Sequence, residues 1–155
     1  MSFRFGRRSE ANLVGIHPDL VAAVRLALTL SDIDFSVHEG MRTLERQKKL
    51  VATGASRTMS SYHLTGDAVD LVPYVDGHLR WEMGLCNQVA GAMHEACARL
   101  RLRVVWGRVW DSELGELDPE LFDSERAAYV RRYQRVHGVE RHPLDDGPHF
   151  HRVRT

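Results

Sequence analysis

The sequence predicts an α+β fold, a small and mostly antiparallel sheet with helices packed against it. Two observations predict it. Apolar residues recur at helical spacing in Pro18–Leu30, where Leu20, Val21, Val24 and Leu28 share a face. They recur again in Leu85–Leu100, through Val89, Ala92, Met93, Ala96 and Leu100. Around these helices lie short β-compatible runs, Asp34–His38, Ala68–Tyr74, Arg103–Trp106 and Pro148–Val153, and Asp76-Gly77 is a strong hairpin dipeptide.

Taken in order, Met1–Gly15 reads as an arm or loop. His17-Pro18 suits the start of the first helix, because proline fits the first turn. In the first strand Phe35 and Val37 alternate with Ser36 and His38, and Gly40 then breaks the chain. Thr43 is the expected N-cap of a polar helix running to Ala52, which Gly54 stops. The stretch Ala55–Gly66 is rich in Ser, Thr and Gly and reads as a loop. Val69, Leu71 and Val72 make the next strand, ended by Pro73, and the hairpin returns through a short strand near Leu79–Trp81. Beyond Trp110, Asp118-Pro119 opens an acidic stretch, and Ser124–His137 looks helical with Ser124 as N-cap. Without repeats or a visible boundary, residues 1–155 are expected to form one domain, with 111–145 as an insertion between two strands.

Composition narrows the partners. Lys+Arg and Asp+Glu both number 21, and this balance argues against nucleic acid, whose binders normally carry a basic excess. No run approaches the 18 or so apolar residues of a membrane span, and no apolar stretch of signal-peptide length follows Arg4, Arg7 and Arg8. The protein is therefore expected to be made in the cytoplasm without a signal peptide or a stable membrane insertion. Cys86 and Cys97 lie eleven residues apart on one helix, about 16 Å by helical rise, too far to bridge; they read as free thiols.

Nine histidines are many for this length and direct attention to metal. In Ser61-Tyr62-His63-Leu64-Thr65-Gly66-Asp67-Ala68-Val69-Asp70 an imidazole and a carboxylate stand seven residues apart across a loop-to-strand junction. Gly66 permits a tight turn between them, and small Ala68 leaves room beside an ion. Both are good zinc ligands, but catalytic zinc usually takes three from the protein. Asp146-Gly147-Pro148-His149-Phe150-His151 supplies the third. His149 is the preferred ligand, although His151, two residues on, shares its strand face and is an alternative. Asp146, on a Gly-Pro turn, is placed to serve as a general base.

The pattern S-x-H-x-x-G-x-A-x-D, followed far downstream by D-x-P-H-F, resembles the zinc peptidases of the D-Ala-D-Ala carboxypeptidase/L-Ala-D-Glu endopeptidase family. That family includes phage endolysins and wall-recycling enzymes. The resemblance covers roughly Pro18–Trp110 and Asp146–Val153. It implies a hedgehog/D,D-peptidase-like fold, zinc on His63, Asp70 and His149, and Asp146 as the catalytic carboxylate. Glu39-Gly40-Met41-Arg42-Thr43 with Gln47 matches the family's G-x-R segment, which implies that Arg42 supports the reacting carbonyl or a substrate carboxylate. Gln47, Ser56 and Ser61 are weaker candidates for substrate hydrogen bonds. Trp106-Gly107-Arg108-Val109-Trp110 departs from the family's Trp-Gly-Gly-Asp-Trp-like segment, and the stretch from Trp110 to Asp146 is longer than the family leads one to expect.

The implied activity is hydrolysis of the L-Ala–D-Glu bond in peptidoglycan stem peptides by a phage-type endolysin. Such an enzyme is expected to be a monomer that reaches the wall through a lesion made by a holin-like protein. The alternatives are a D-Ala-D-Ala carboxypeptidase or dipeptidase, and an inactive zinc-containing wall-binding module. Of the remaining histidines, His38 is the one near Arg42. Trp106 and Trp110 either line the site or pack in the core, and the core is the expectation for Trp106.

Overall fold

The computed structural model describes residues 3–154. Helix α1 spans Arg7–Asn12, and α2 spans Pro18–Leu30. Proline at the first position of α2 sacrifices no helical hydrogen bond, and the His17 ring accepts the Asp19 amide at 3.1 Å. Strand β1 (Asp34–Glu39) leads to α3 (Leu44–Ala52), where the Thr43 hydroxyl accepts the Arg46 amide as the expected N-cap. Next come β2 (Ala68–Val75), β3 (His78–Leu79) and the long α4 (Met83–Leu100). Strands β4 (Val104–Trp106) and β5 (Val109–Glu113), helix α5 (Phe122–His137) and β6 (His149–Arg152) complete the chain.

All strand pairings are antiparallel, in the order β1-β2-β6-β4-β5, with β3 on β2. The apolar faces of α2 (Leu20, Val24, Leu28) and α4 (Val89, Met93, Ala96) join Phe35, Val37, Val69, Leu71, Val104, Trp106 and Phe150 in one core. Burial of these side chains, at roughly 1.5–3 kcal/mol each, is the main force holding helices to sheet. The α+β architecture is thus the one expected.

Four local expectations need correction. Arg7–Asn12, within the expected arm, is helical, while Met1 and Ser2 lie outside the described residues. Its ties are polar: the Ser9 hydroxyl accepts the Val37 amide at 3.0 Å, and the Asn12 side chain donates to the Val37 carbonyl at 2.8 Å. The return strand is His78–Leu79, not Leu79–Trp81. Asp76 and Gly77 both take positive φ (53° and 80°), so pairing resumes at once with Val75 opposite His78. Ser124 is not an N-cap; α5 begins at Phe122, whose ring packs 4.7 Å from that of Trp106. The sheet also continues past Trp110 to Glu113, so the first residues of the expected insertion belong to β5.

The Ala55–Gly66 loop ends in a 3-10 turn, Tyr62–Thr65. The Ser61 hydroxyl accepts the His63 amide at 3.2 Å at its start. Gly66 closes it at φ 75°, where a Cβ would lie 2.3 Å from the Gly15 carbonyl oxygen, so glycine is required on both counts.

Candidate metal centre

Asp70 and His149 are directly opposed partners in the β2–β6 ladder, which puts both side chains on one face of the sheet. Their neighbours Val69, Leu71 and Phe150 point the other way, into the core. His63 comes to the same face on its 3-10 turn. Its ring Nδ1 donates to the Gly40 carbonyl at 2.8 Å, so Nε2 is the nitrogen presented to Asp70, 3.1 Å from Oδ1. The Nδ1 of His149 lies 3.5 Å from that same oxygen. One donor atom from each residue falls within 4.8 Å of the others, a group that could hold a metal ion.

The donor set fits a divalent cation on two grounds. Donors bound at 2.0–2.1 Å in tetrahedral geometry stand about 3.3 Å apart, and the distances of 3.1 and 3.5 Å bracket that value. Charge gives the second. With Nδ1 committed to a carbonyl, a neutral His63 turns its Nε2 lone pair on a carboxylate, which calls for a proton or a metal between them. Burial opposes charge on both groups, yet the pairing prevails. The Asp70 carboxylate raises the His63 pKa, and bonds from His149 and His63 hold Asp70 well below the usual carboxylate range.

The cluster opens into a cavity of about 370 Å³. Asp146 lines it, held by its amide on the Gly107 carbonyl at 2.9 Å. Burial, and then the charge of Asp70, push its carboxyl up to about 6. Arg42 lines the cavity too, immobilised from behind: Nε donates to Glu39 Oε1 and one terminal nitrogen to Gln47 Oε1, both at 2.7 Å. Its other terminal nitrogen stands 3.9 Å from Asp70 Oδ2. Gln47 is fully buried behind Arg42, with its amide donating to the Ser56 hydroxyl at 2.9 Å and to the Thr58 carbonyl. Ser56 and Ser61 are on the cavity wall.

His151 is paired with Ala68, two residues along the ladder from Asp70, and its Nδ1 lies 2.8 Å from Nε2 of His149. It therefore touches His149 rather than standing in the three-donor group. Glu39 and Tyr62 are site residues that the sequence does not single out, and Trp110 is the one it leaves open between site and core. Glu39 had a signal, a carboxylate three residues before Arg42. Trp110 lies 5.0 Å from the His149 ring, which places it at the site, and Tyr62, stacked 4.0 Å on His151, had no signal, because only the fold brings it there. Trp106 is in the core, its indole donating to the Gly147 carbonyl at 2.7 Å. His38 meets Trp81 edge-on at 5.2 Å. The thiols of Cys86 and Cys97 are buried, which pushes them up to about 11 and about 12, so both stay protonated.

The profile of the phage L-alanyl-D-glutamate peptidase family matches residues 1–128. The chain belongs to this family. A relative named L-alanyl-D-glutamate peptidase, from Escherichia phage T5, is 34% identical over 116 residues, 72% of this chain and 85% of that protein. Another of the same name, from Listeria phage A118, is 34% identical over 113 residues, 71% of this chain but 39% of its own length. Among solved structures, the Serratia marcescens L-Ala D-Glu endopeptidase ChiX is similar over 98% of this chain and 91% of that one, with a TM-score of 0.73 and 37% identity. The family's profile ends within α5, whereas the likeness to ChiX extends over the strand that carries His149.

Proposed function

We propose that this chain is a zinc-dependent peptidoglycan hydrolase of the phage endolysin type, cutting the L-Ala–D-Glu bond of stem peptides. The observation that carries the reading is the convergence of His63, Asp70 and His149 beside Asp146 in one cavity, in a chain of a family named for that activity. Nε2 of His63, a carboxylate oxygen of Asp70 and Nδ1 of His149 would hold the zinc. Bound there, the ion supplies Lewis acidity that makes water acidic and a carbonyl electrophilic.

The remaining work belongs to side chains. Asp146 takes a proton from the water that attacks the L-Ala carbonyl carbon. As the C–N bond breaks, it delivers that proton to the departing D-Glu nitrogen. Arg42, with Nε and one terminal nitrogen already bound to Glu39 and Gln47, offers its remaining donors to the oxyanion without reorganising. Ser56 and Ser61 offer hydroxyls to the peptide backbone, while Trp110 and Leu144 supply an apolar wall that limits water. Gln47 acts through Arg42. Among the described residues no helix is long and apolar enough to cross a membrane. We infer release to the wall through a holin-like partner, and action as a monomer.

Digestion of purified peptidoglycan followed by mass spectrometry tests the reading. New amino-terminal D-Glu is the expected product. Release of free D-Ala would make the enzyme a carboxypeptidase, and binding to the wall without any cleavage would make it an anchoring module.

A further inference from the structure

We propose that His151 is a positioning residue for the metal, holding the His149 ring in the one tautomer and orientation that turn Nδ1 toward Asp70. The inference rests on the zinc reading above. His149 has two nitrogens, and only one faces the cluster: Nδ1 is 3.5 Å from Asp70 Oδ1, while Nε2 is 2.8 Å from Nδ1 of His151. For Nδ1 to offer a lone pair to a cation, the ring proton must sit on Nε2. His151 Nδ1 is the acceptor that keeps it there. Without that acceptor, a proton on His149 Nδ1 could instead be held by the Asp70 carboxylate, and the lone pair would point away from the cluster.

The acceptor is itself fixed. His151 is 8% exposed, and its ring lies between aromatic neighbours, stacked on Tyr62 at 4.0 Å with 10° between planes and 6.0 Å from Trp110. The Arg154 guanidinium covers the ring of Tyr62 at 4.2 Å. On the backbone, the ladder sets His151 between Ala68 and Val105. The imidazole thus has little freedom to swing away, and the orientation of His149 follows from it. The H-x-H spacing places two histidines on one strand face, one as donor to the ion and one as its brace.

Two substitutions separate the acceptor from the bulk of the ring. His151→Phe keeps an aromatic ring for the stack and removes the acceptor. In His151→Asn the amide oxygen takes the place of Nδ1. Zinc affinity is measured by competition with a chromophoric chelator, and the His149 ring N–H of the zinc-loaded protein is followed by nitrogen-15 NMR. The expected result is affinity about 10–100-fold weaker in His151→Phe, with the His149 Nε2–H signal lost to fast exchange. His151→Asn should recover most of the affinity. Wild-type affinity in His151→Phe overturns the positioning role and leaves the metal site standing. Equal weakening in both variants also overturns it, since the acceptor would then be irrelevant. Failure of the wild-type protein to bind zinc overturns the underlying reading itself.

Discussion

Gly107 and Asp146 are in backbone contact: the Asp146 amide donates to the Gly107 carbonyl at 2.9 Å, and a Cβ on Gly107 would fall 2.2 Å from the Asp146 carbonyl oxygen. The turn joining β4 to β5 thereby sets where the proposed base stands. Gly107→Ala must push the Asp146 segment away, because the obstacle is backbone. A shift of about 1 Å at a reacting group costs on the order of 100-fold in rate. The expected outcome is a loss of that size in kcat/KM with zinc still bound. Undiminished turnover would show that this contact does not govern the base.

Asp146→Asn keeps the shape of the side chain and removes its ability to take a proton. Hydrolysis should fall by about 10²–10⁴-fold, while metal analysis still finds one zinc per chain. Loss of zinc from this variant would mean that Asp146 belongs to the ligand set.

The acidic limb of the rate profile follows from the same group. Burial and the Asp70 charge push the Asp146 carboxyl up to about 6, and a cation in the site acts in the opposite direction. The base works only when ionised, so activity is present above its pKa and is lost as the pH falls through it. The limb of kcat/KM against pH is therefore expected at or below pH 6. A limb above pH 7 would contradict the assignment.

Arg126 braces the segment leading to Asp146 from α5. Its guanidinium donates to the carbonyls of Arg108 and Leu144 at 3.1 Å and of Pro143 at 2.8 Å. Arg126→Met leaves these carbonyls without their donors and is expected to lower stability by about 2–4 kcal/mol. Urea denaturation of the zinc-loaded protein measures it. A change under about 0.5 kcal/mol, the range of an ordinary surface substitution, would count against the brace.

Sequence made part of the site legible because of how the chain is laid out. His63 and Asp70 fall in one short segment, so a turn and a strand suffice to bring them together. Spacing alone left His149 and His151 as alternatives, because both share a strand face. The ladder separates them: His149 opposes Asp70, and His151 opposes Ala68. Helix α1 escaped notice because it is six residues long and tied to β1 by Ser9 and Asn12 rather than by an apolar stripe. Ser124 looked like a cap because it precedes a helical pattern, but burial of Phe122 against Trp106 starts the helix earlier. Trp110 was open between site and core until the fold set it beside His149, and Tyr62 is a site residue only by virtue of the fold.

Crystals grown with zinc, with diffraction data collected on both sides of the zinc absorption edge, reveal whether His63, Asp70 and His149 hold the ion. One strong anomalous peak is expected about 2.0–2.2 Å from His63 Nε2, an Asp70 oxygen and His149 Nδ1, with Asp146 beside it and not bound to it. Crystals of hydrolytically active enzyme with no peak among those three side chains, or with the ion held elsewhere, would contradict that ligand set.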